Sequence, residues 1–352
     1  MAGPARVYLD WNASAPLRPE ARAAMAAAMD LGGNPSSVHA EGRAARALVE
    51  RARAQVAAAF GAEPDEVIFT SGATEAAALA ASGHGLASAA IEHDCVAAWT
   101  DGALPVDAEG RVTVADPEAS ALQAANSETG VIQDLPTGLA LVDAAQAAGR
   151  IPFHFGATGA RAALISGHKF GAPRGVGALL LRRGADPAPI LRGGGQEGGR
   201  RAGTENLIGI AGLGAAAEAA VRDLAAGLWD EVAEIRRILE TALASASETT
   251  ILVGNMTPRL PNTICLATPG WEGETQVMLM DLAGFAISSG SACSSGKVRP
   301  SRTLAAMGLG EAAQGAIRVS LGLETTTDEA LAFARAWTAQ HARRRAKAAR
   351  AA

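Results

Sequence analysis

The sequence is poor in cysteine, poorer still in lysine relative to arginine, and has no long apolar run. Its 352 residues include three cysteines, Cys95, Cys265 and Cys293, too few for a disulfide scaffold. None lies in a CxxC spacing, which argues against the usual structural zinc site. No stretch of about 18 apolar residues occurs, so no membrane span is expected. The opening MAGPARVYLDWNASAP lacks a basic start followed by an apolar core, so no secretory signal is expected either. A net charge of -5 argues against a general nucleic-acid binder. These absences describe a soluble protein, expected in the reducing cytoplasm, with no metal site. What is present, 49% hydrophobic and 19% charged residues, is enough to bury a large core. The length suits two domains at roughly 150 residues each.

Lysine is the informative shortage. Only three of the 31 basic residues are lysine: Lys169, Lys297 and Lys347. Arginine carries almost every ordinary surface charge, but it cannot lose its proton and condense with a carbonyl. Lys347 sits in the solvated tail HARRRAKAAR. Lys169 stands out for its neighbours, SGHKFGAPRGVG.

Strand and helix patterns alternate along the chain. Helices are expected over 18–29 and, capped by Ser36 or Ser37 and stopped by Gly61, up to residue 60. Strands are expected at 67–69, 139–142, 163–165 and 177–181. Such alternation reads as an α/β fold with a mainly parallel sheet. A helical stretch over 206–246 breaks near Gly227. Strands at 250–253, 263–266, 286–288 and 317–320 then alternate with helices at 274–282 and 301–307. The last helix opens on a capping box from Thr326 to Glu329. A large domain over 14–230 and a smaller one over 231–352, joined by residues 1–13, are expected.

Four motifs fall at strand ends. Ser166, His168 and Lys169 would lie at the carboxyl edge of the sheet, where α/β folds bind ligands. SGATEA (71–76) turns from a strand into a helix N-terminus, an anion site to which Thr74 adds a hydroxyl. VDAAQ (142–146) offers Asp143 to a protonated ring nitrogen and Gln146 to a phenolic oxygen. IEHD (91–94) places His93 where it could lie on a ring face. Each has an ordinary reading alone: a strand-end lysine, a common turn, a helix-capping Asp. Together they supply a lysine for a Schiff base, a phosphate cradle, a partner for a pyridinium and a ring-stacking His, the set that pyridoxal phosphate requires.

YLDWNASAPLRPE, GNPSSVHAEGRAAR, IFTSGATEA, IEHD, ANSETG, VDAAQAAGRIP, SGHKFGAPRGVG, GGGQEGGRRAGTEN, SSGSACSSG and AIRVSLG occur in that order. With these motifs the chain resembles, over nearly its whole length, the cysteine desulfurases of the NifS/IscS type in the class V aminotransferase group. The resemblance implies fold-type I, pyridoxal 5'-phosphate and a homodimer. The implied reaction takes L-cysteine to L-alanine and leaves sulfur as a persulfide on Cys293, for an acceptor protein such as an iron–sulfur scaffold. It implies that Lys169 carries the cofactor, Asp143 pairs with its ring nitrogen, Gln146 meets its phenolic oxygen, and His93 stacks on the ring and moves protons. Thr74, Ser166 and His168, with Ala73 beside them, would hold the phosphate, and Thr204 would reach in from the other subunit. Asn34 and Arg318 would bind the substrate carboxylate, for which an arginine fork is well shaped.

The pattern departs from the family at Ser127, where relatives carry a second asparagine that contacts the cofactor. Connections 75–93, 107–126 and 129–143 are shorter than in relatives, so one sheet face is expected to be less covered, or covered by a partner. Two other readings remain open here. One is another pyridoxal-phosphate lyase or transaminase, such as a selenocysteine lyase. The other is a trimmed homologue that binds a sulfur-transfer partner without turnover. Cys293, in the Ser/Gly-rich run SSGSACSSG, separates them: a loop of small residues is expected to be mobile and exposed, and a transaminase needs no such thiol. Cys95 and Cys265 lie in or beside apolar runs and are expected to be inert core residues.

Overall fold

The computed structural model describes residues 6–289 and 301–351; Cys293 and Lys297 lie outside the described residues. The strands are β1 (Val7–Tyr8), β2 (Val67–Thr70), β3 (Ala87–Ala89), β4 (Asp101–Leu104), β5 (Ala121–Gln123), β6 (Leu141–Asp143), β7 (Ala162–Ser166), β8 (Gly177–Leu181), β9 (Ile251–Leu252), β10 (Thr263–Ala267), β11 (Phe285–Ala286), β12 (Ser288–Ser289) and β13 (Ala316–Ser320). The helices are α1 (Pro19–Met29), α2 (Ala40–Phe60), α3 (Ala73–Ala81), α4 (Asp94–Ala97), α5 (Phe155–Thr158), α6 (Leu207–Ala225), α7 (Leu228–Ala246), α8 (Gly273–Leu282), α9 (Arg302–Ala306) and α10 (Thr327–Ala351). None of the described helices is long and apolar enough to cross a membrane.

The central sheet has the order β2-β8-β7-β6-β5. Both pairings of β8 are antiparallel, whereas β7–β6 and β6–β5 are parallel. It follows that β2, β7, β6 and β5 share one direction and β8 alone is reversed. The parallel pair β3–β4 adjoins β5 through a bridge between Ala87 and Ser120. The sheet is mainly parallel, as expected, with β8 as its one reversed strand, and chain length explains the reversal. A parallel return needs a crossover of about a dozen residues or more. The connection from Ser166 to Gly177 is too short for one, and it carries the lysine motif.

Helices α1, α2 and α6 cover one face, packing Val49, Val56 and Phe60 against Phe69, Leu122, Val142 and Leu180. The opposite face has a thin cover. No helix separates β5 from β6, and α3 with the one-turn α4 does most of the packing. Yet Ile68, Leu141, Leu164 and Leu179 on that face are each 0% exposed. The expectation of a poorly covered face is corrected: the alanines of α3 lie close over the strands, so a short helix suffices. Each buried leucine contributes roughly 1.5–3 kcal/mol, enough to select this arrangement over an open face.

The C-terminal unit has an antiparallel sheet, β12-β13-β10-β9, backed by α7, α8 and α10 around Trp271, Phe333 and Trp337. The first residues run into this unit. Strand β1 pairs with β11, and Asp10 bridges to Ser320 of β13. Capping differs from expectation at α2. His39, not Ser36 or Ser37, caps the helix, its Nδ1 accepting from Gly42 N at 3.3 Å. The two serines are held in a turn by Asn34, whose main-chain oxygen accepts from Ser37 N and whose Oδ1 accepts from Ser36 N. Gly61 ends α2 with φ 65°, and Thr326 and Glu329 form the box that opens α10.

Candidate active site

The site begins where β2 turns into α3. Gly72 there has φ 155° and ψ −176°, a region open essentially to glycine alone. A Cβ on Gly177 would lie 2.8 Å from Gly72 Cα, so β8 and this turn touch backbone to backbone. The turn brings Ser71, Gly72, Ala73 and Thr74 to the wall of a cleft of about 520 Å³. The first-turn N–H groups of α3 make this wall electropositive. Glu75 accepts from Ser71 N at 2.7 Å and fixes the turn's shape.

Two strand ends supply the opposite wall and the floor. Ser166, the last residue of β7, lines the cleft with His168 and Lys169 just beyond it; Asp143, the last residue of β6, does so with Gln146. Lys169 Nζ donates to the main-chain oxygens of Asn12 at 2.7 Å and Ala13 at 3.1 Å. His168 Nδ1 lies 3.3 Å from Ser14 Oγ. Burial, then the charges of Lys169, Arg174, Arg150 and His93, push His168 down to about 4, so it is neutral at ordinary pH. Asp143 is 7% exposed, and its Oδ1 accepts from Ala145 N at 2.9 Å. Burial raises its pKa, opposed by that N–H and by His93 and Lys169. Gln146 donates to Asn12 O at 3.1 Å and accepts from Arg150.

His93 and Ser127 complete the lining. His93 caps α4, its Nδ1 accepting from Cys95 N at 3.2 Å. In the neutral ring this assigns the proton to Nε2. Ser127 offers its main-chain oxygen to Asn12 Nδ2 at 3.2 Å and to Arg318 Nη1 at 3.1 Å. Arg318 is buried behind this wall, its Nη2 2.8 Å from Asp10 Oδ1.

The structure thus gathers Ala73, Thr74, His93, Ser127, Asp143, Gln146, Ser166, His168 and Lys169 around one cleft. It does not bring Asn34 or Thr204 there within a single chain. Both are exposed. The Thr204 loop is nevertheless firmly rooted. Glu197, the one described non-glycine residue with positive φ, accepts from Arg53 at 2.8 and 2.9 Å and from Phe69 N at 3.1 Å. Arg201 donates to Glu75 at 2.7 Å.

Several residues escaped the sequence reading. Asn12 is 0% exposed and its main-chain oxygen meets both Lys169 and Gln146. Gln123 and Arg174 also line the cleft. The signal available was YLDWNASAP, a polar run directly after a strand. Cys95 lines the cleft as well as the core, which corrects its reading as a core residue alone. Burial raises its thiol pKa and pushes Cys265 up to about 12, so neither is a ready nucleophile.

The donor set fits pyridoxal phosphate. Asp143 is a buried carboxylate whose natural complement is a cationic ring N–H. A Cβ on Gly72 or Gly175 would meet nothing within 4 Å, so the cradle has room at its backbone edge. The volume lies in the range usual for cofactor pockets. Arg174, neutral His168, Thr74 and the α3 N-terminus present donors to an anion, and Lys169 is the cleft's amine.

Residues 7–333 match the family described as Aminotransferase class-V. A cysteine desulfurase of Cereibacter sphaeroides is 40% identical, with 92% of each chain covered. The cysteine desulfurase IscS of Dictyoglomus turgidum is 36% identical over 92% of this chain and 91% of its own. A NifS-like protein from Rickettsia africae superimposes with a TM-score of 0.85 at 30% identity, covering 94% of this chain and 98% of that one. The family match runs through every element that builds the cleft, and the chain belongs to the class-V aminotransferase family, in its cysteine desulfurase branch.

Proposed function

We propose that this chain is a pyridoxal-phosphate-dependent cysteine desulfurase. The net step is L-cysteine plus the Cys293 thiol giving L-alanine plus a Cys293 persulfide, whose outer sulfur then passes to an acceptor protein. The observation that carries the reading is the convergence of Lys169, Asp143, Gln146 and His93 on one cleft with a phosphate cradle at its wall.

When bound, the cofactor supplies an electron sink for the substrate's α-carbon. The remaining work falls to the chain. Lys169 would hold the cofactor covalently and then carry protons. Asp143 would keep the ring nitrogen protonated, and that cation would oppose the burial that raises the carboxyl's pKa. His93, with Nδ1 occupied by Cys95 N, has Nε2 as its proton-exchanging nitrogen. Ala73, Thr74, Ser166 and His168 would hold the phosphate, His168 as a neutral donor. Gln146 would meet the phenolic oxygen, and Ser127, shorter than the family's asparagine, would keep a hydroxyl at that contact. Arg318 would bind the substrate carboxylate, with Asn34 assigned beside it on the resemblance alone. Cys293 lies outside the described residues, and its role is proposed from the sequence.

We further propose a homodimer in which Thr204 completes the partner's phosphate site. The anchoring of its loop by Glu197 and Arg201, while Thr204 itself stays exposed, supports this.

Absorption spectra of the purified protein with and without L-cysteine, taken alongside alanine and sulfide assays, test the function. A cysteine-dependent change in the cofactor band with stoichiometric alanine is expected. A cofactor band indifferent to L-cysteine would refute the reading. For the dimer, mixing Lys169→Ala with Thr204→Ala subunits should restore activity at one site per mixed pair.

A further inference from the structure

Arg318 is held by a device that the reaction scheme does not use. Arg318, on β13, is 6% exposed. Its Nη2 donates to Asp10 Oδ1 at 2.8 Å and its Nη1 to Ser127 O at 3.1 Å. Its Nε is buried with no hydrogen-bond partner among the described residues. The second oxygen of Asp10 accepts from Ser288 Oγ at 2.9 Å. Ser288 and Arg318 stand directly opposite each other across β12 and β13. One carboxylate from the N-terminal segment therefore spans a cross-strand pair and fastens both members.

An unheld arginine side chain has many rotamers, and a carboxylate must immobilise one of them on binding. A guanidinium already fixed by a charge-assisted bond presents its remaining N–H groups in one orientation. Arg318 does not itself line the cleft, but its Nη1 bonds the main-chain oxygen of Ser127, which does, so the guanidinium sits one residue behind the cleft wall. The orphan Nε is a buried donor awaiting an acceptor, a cost that a bound carboxylate would relieve.

We propose that Asp10 is a positioning residue that presets Arg318 for the carboxylate of the amino-acid substrate and couples it to β12, the strand that leads in sequence toward Cys293. This rests on the reading of Arg318 as the carboxylate binder. Asp10 does not touch the substrate; it acts through Arg318.

The test compares two probes on the cofactor-loaded protein: L-cysteine, and cysteamine, which is the same molecule without the carboxylate. Apparent dissociation constants come from the change in cofactor absorbance, and the unliganded band reports an intact site. Asp10→Ala should weaken L-cysteine about tenfold or more, the loss typical of a charge-assisted hydrogen bond, and leave cysteamine unchanged. Asp10→Asn, which keeps an acceptor for Arg318, should restore most of that preference. Equal weakening of both probes by Asp10→Ala would show a general structural role and overturn the proposal, as would no weakening of either. Arg318→Ala separates the two levels. If it abolishes the preference while Asp10→Ala does not, only the role of Asp10 falls. If it leaves the preference intact, the reading of Arg318 falls and the proposal with it.

Discussion

Lys169 Nζ lies 2.7 Å from the main-chain oxygen of Asn12, a residue 157 positions earlier in the chain. That oxygen also accepts from Gln146. The segment 10–14 thus serves as a rail for the site: Asp10 holds Arg318, Asn12 and Ala13 hold Lys169, and Ser14 meets His168. Because β1, just before this segment, pairs with β11 and Asp10 itself bridges to β13, the lysine's position depends on how the C-terminal unit is seated.

Replacing Lys169 tests the covalent anchor. Lys169→Ala should lose the cofactor chromophore on gel filtration, whereas the wild type should keep it and fix it covalently with borohydride. A variant that still fixed the cofactor covalently would place the anchor elsewhere.

Cys293 should divide the reaction into two stages. Cys293→Ser should bind cofactor and show the cysteine-dependent spectral change, yet form no persulfide and almost no alanine. Loss of an essential nucleophile reaches about a million-fold in other enzymes, so a fall of several orders of magnitude is expected. Cys95→Ser and Cys265→Ser should remain active, since burial keeps both thiols protonated. Full turnover by Cys293→Ser would defeat this assignment.

His168 should show no titration near its ordinary value. Its pKa is pushed down to about 4, so in the cofactor-free protein its ring should stay neutral as the pH falls from about 8 to about 5. Histidine ring resonances followed by NMR, assigned through His168→Asn, check this. A ring that protonated near 6.5 would make His168 a cation and change its part in phosphate binding.

Glu92 should leave a mark on stability. One oxygen accepts from Gln123 N at 2.8 Å, and the other has no hydrogen-bond partner among the described residues. Burial and then Asp143 raise its pKa well above the ordinary 4.5, against the Gln123 N–H and His93. The folded protein keeps a proton that the unfolded chain releases above about pH 4.5. The stability contributed by this group is therefore complete below that pH and is lost as pH rises through the folded value. In urea titrations of the cofactor-free protein, Glu92→Gln should gain on the wild type as pH rises from acid to neutral. A gain that grew toward acid instead would mean that the carboxylate is held charged.

Much of this site is legible in the sequence because its chemistry is carried by residue types that have few substitutes. Lys169 stands out against an arginine background, and Asp143 and His93 each sit beside a short apolar strand. The ends of the strands could be read; their partners could not. Asp10 and Arg318 are 308 residues apart, and nothing local in YLDWNASAP or AIRVSLG announces that they meet. Cys95 was readable as apolar but not as a residue facing the cleft, because a one-turn helix gives too little periodicity to assign a face. The cap of α2, His39, is hidden from a local reading for a similar reason. Two serines suit an N-cap by type, but Asn34 draws both into a turn before the helix begins.

By itself, the sequence determined the inventory: a lysine able to condense, a carboxylate and a histidine at strand ends, glycine at a turn only glycine can make, and the alternation that folds them into an α/β sheet. These follow from local preference and side-chain chemistry, which a chain carries wherever it is. The tertiary structure alone decided the reversal of β8, the sealing of the thin sheet face by α3, and the rail of residues 10–14 beneath Lys169. Those depend on long-range packing, where strands far apart in sequence must bury their surfaces together and satisfy each other's polar groups, and no local pattern encodes which ones will meet.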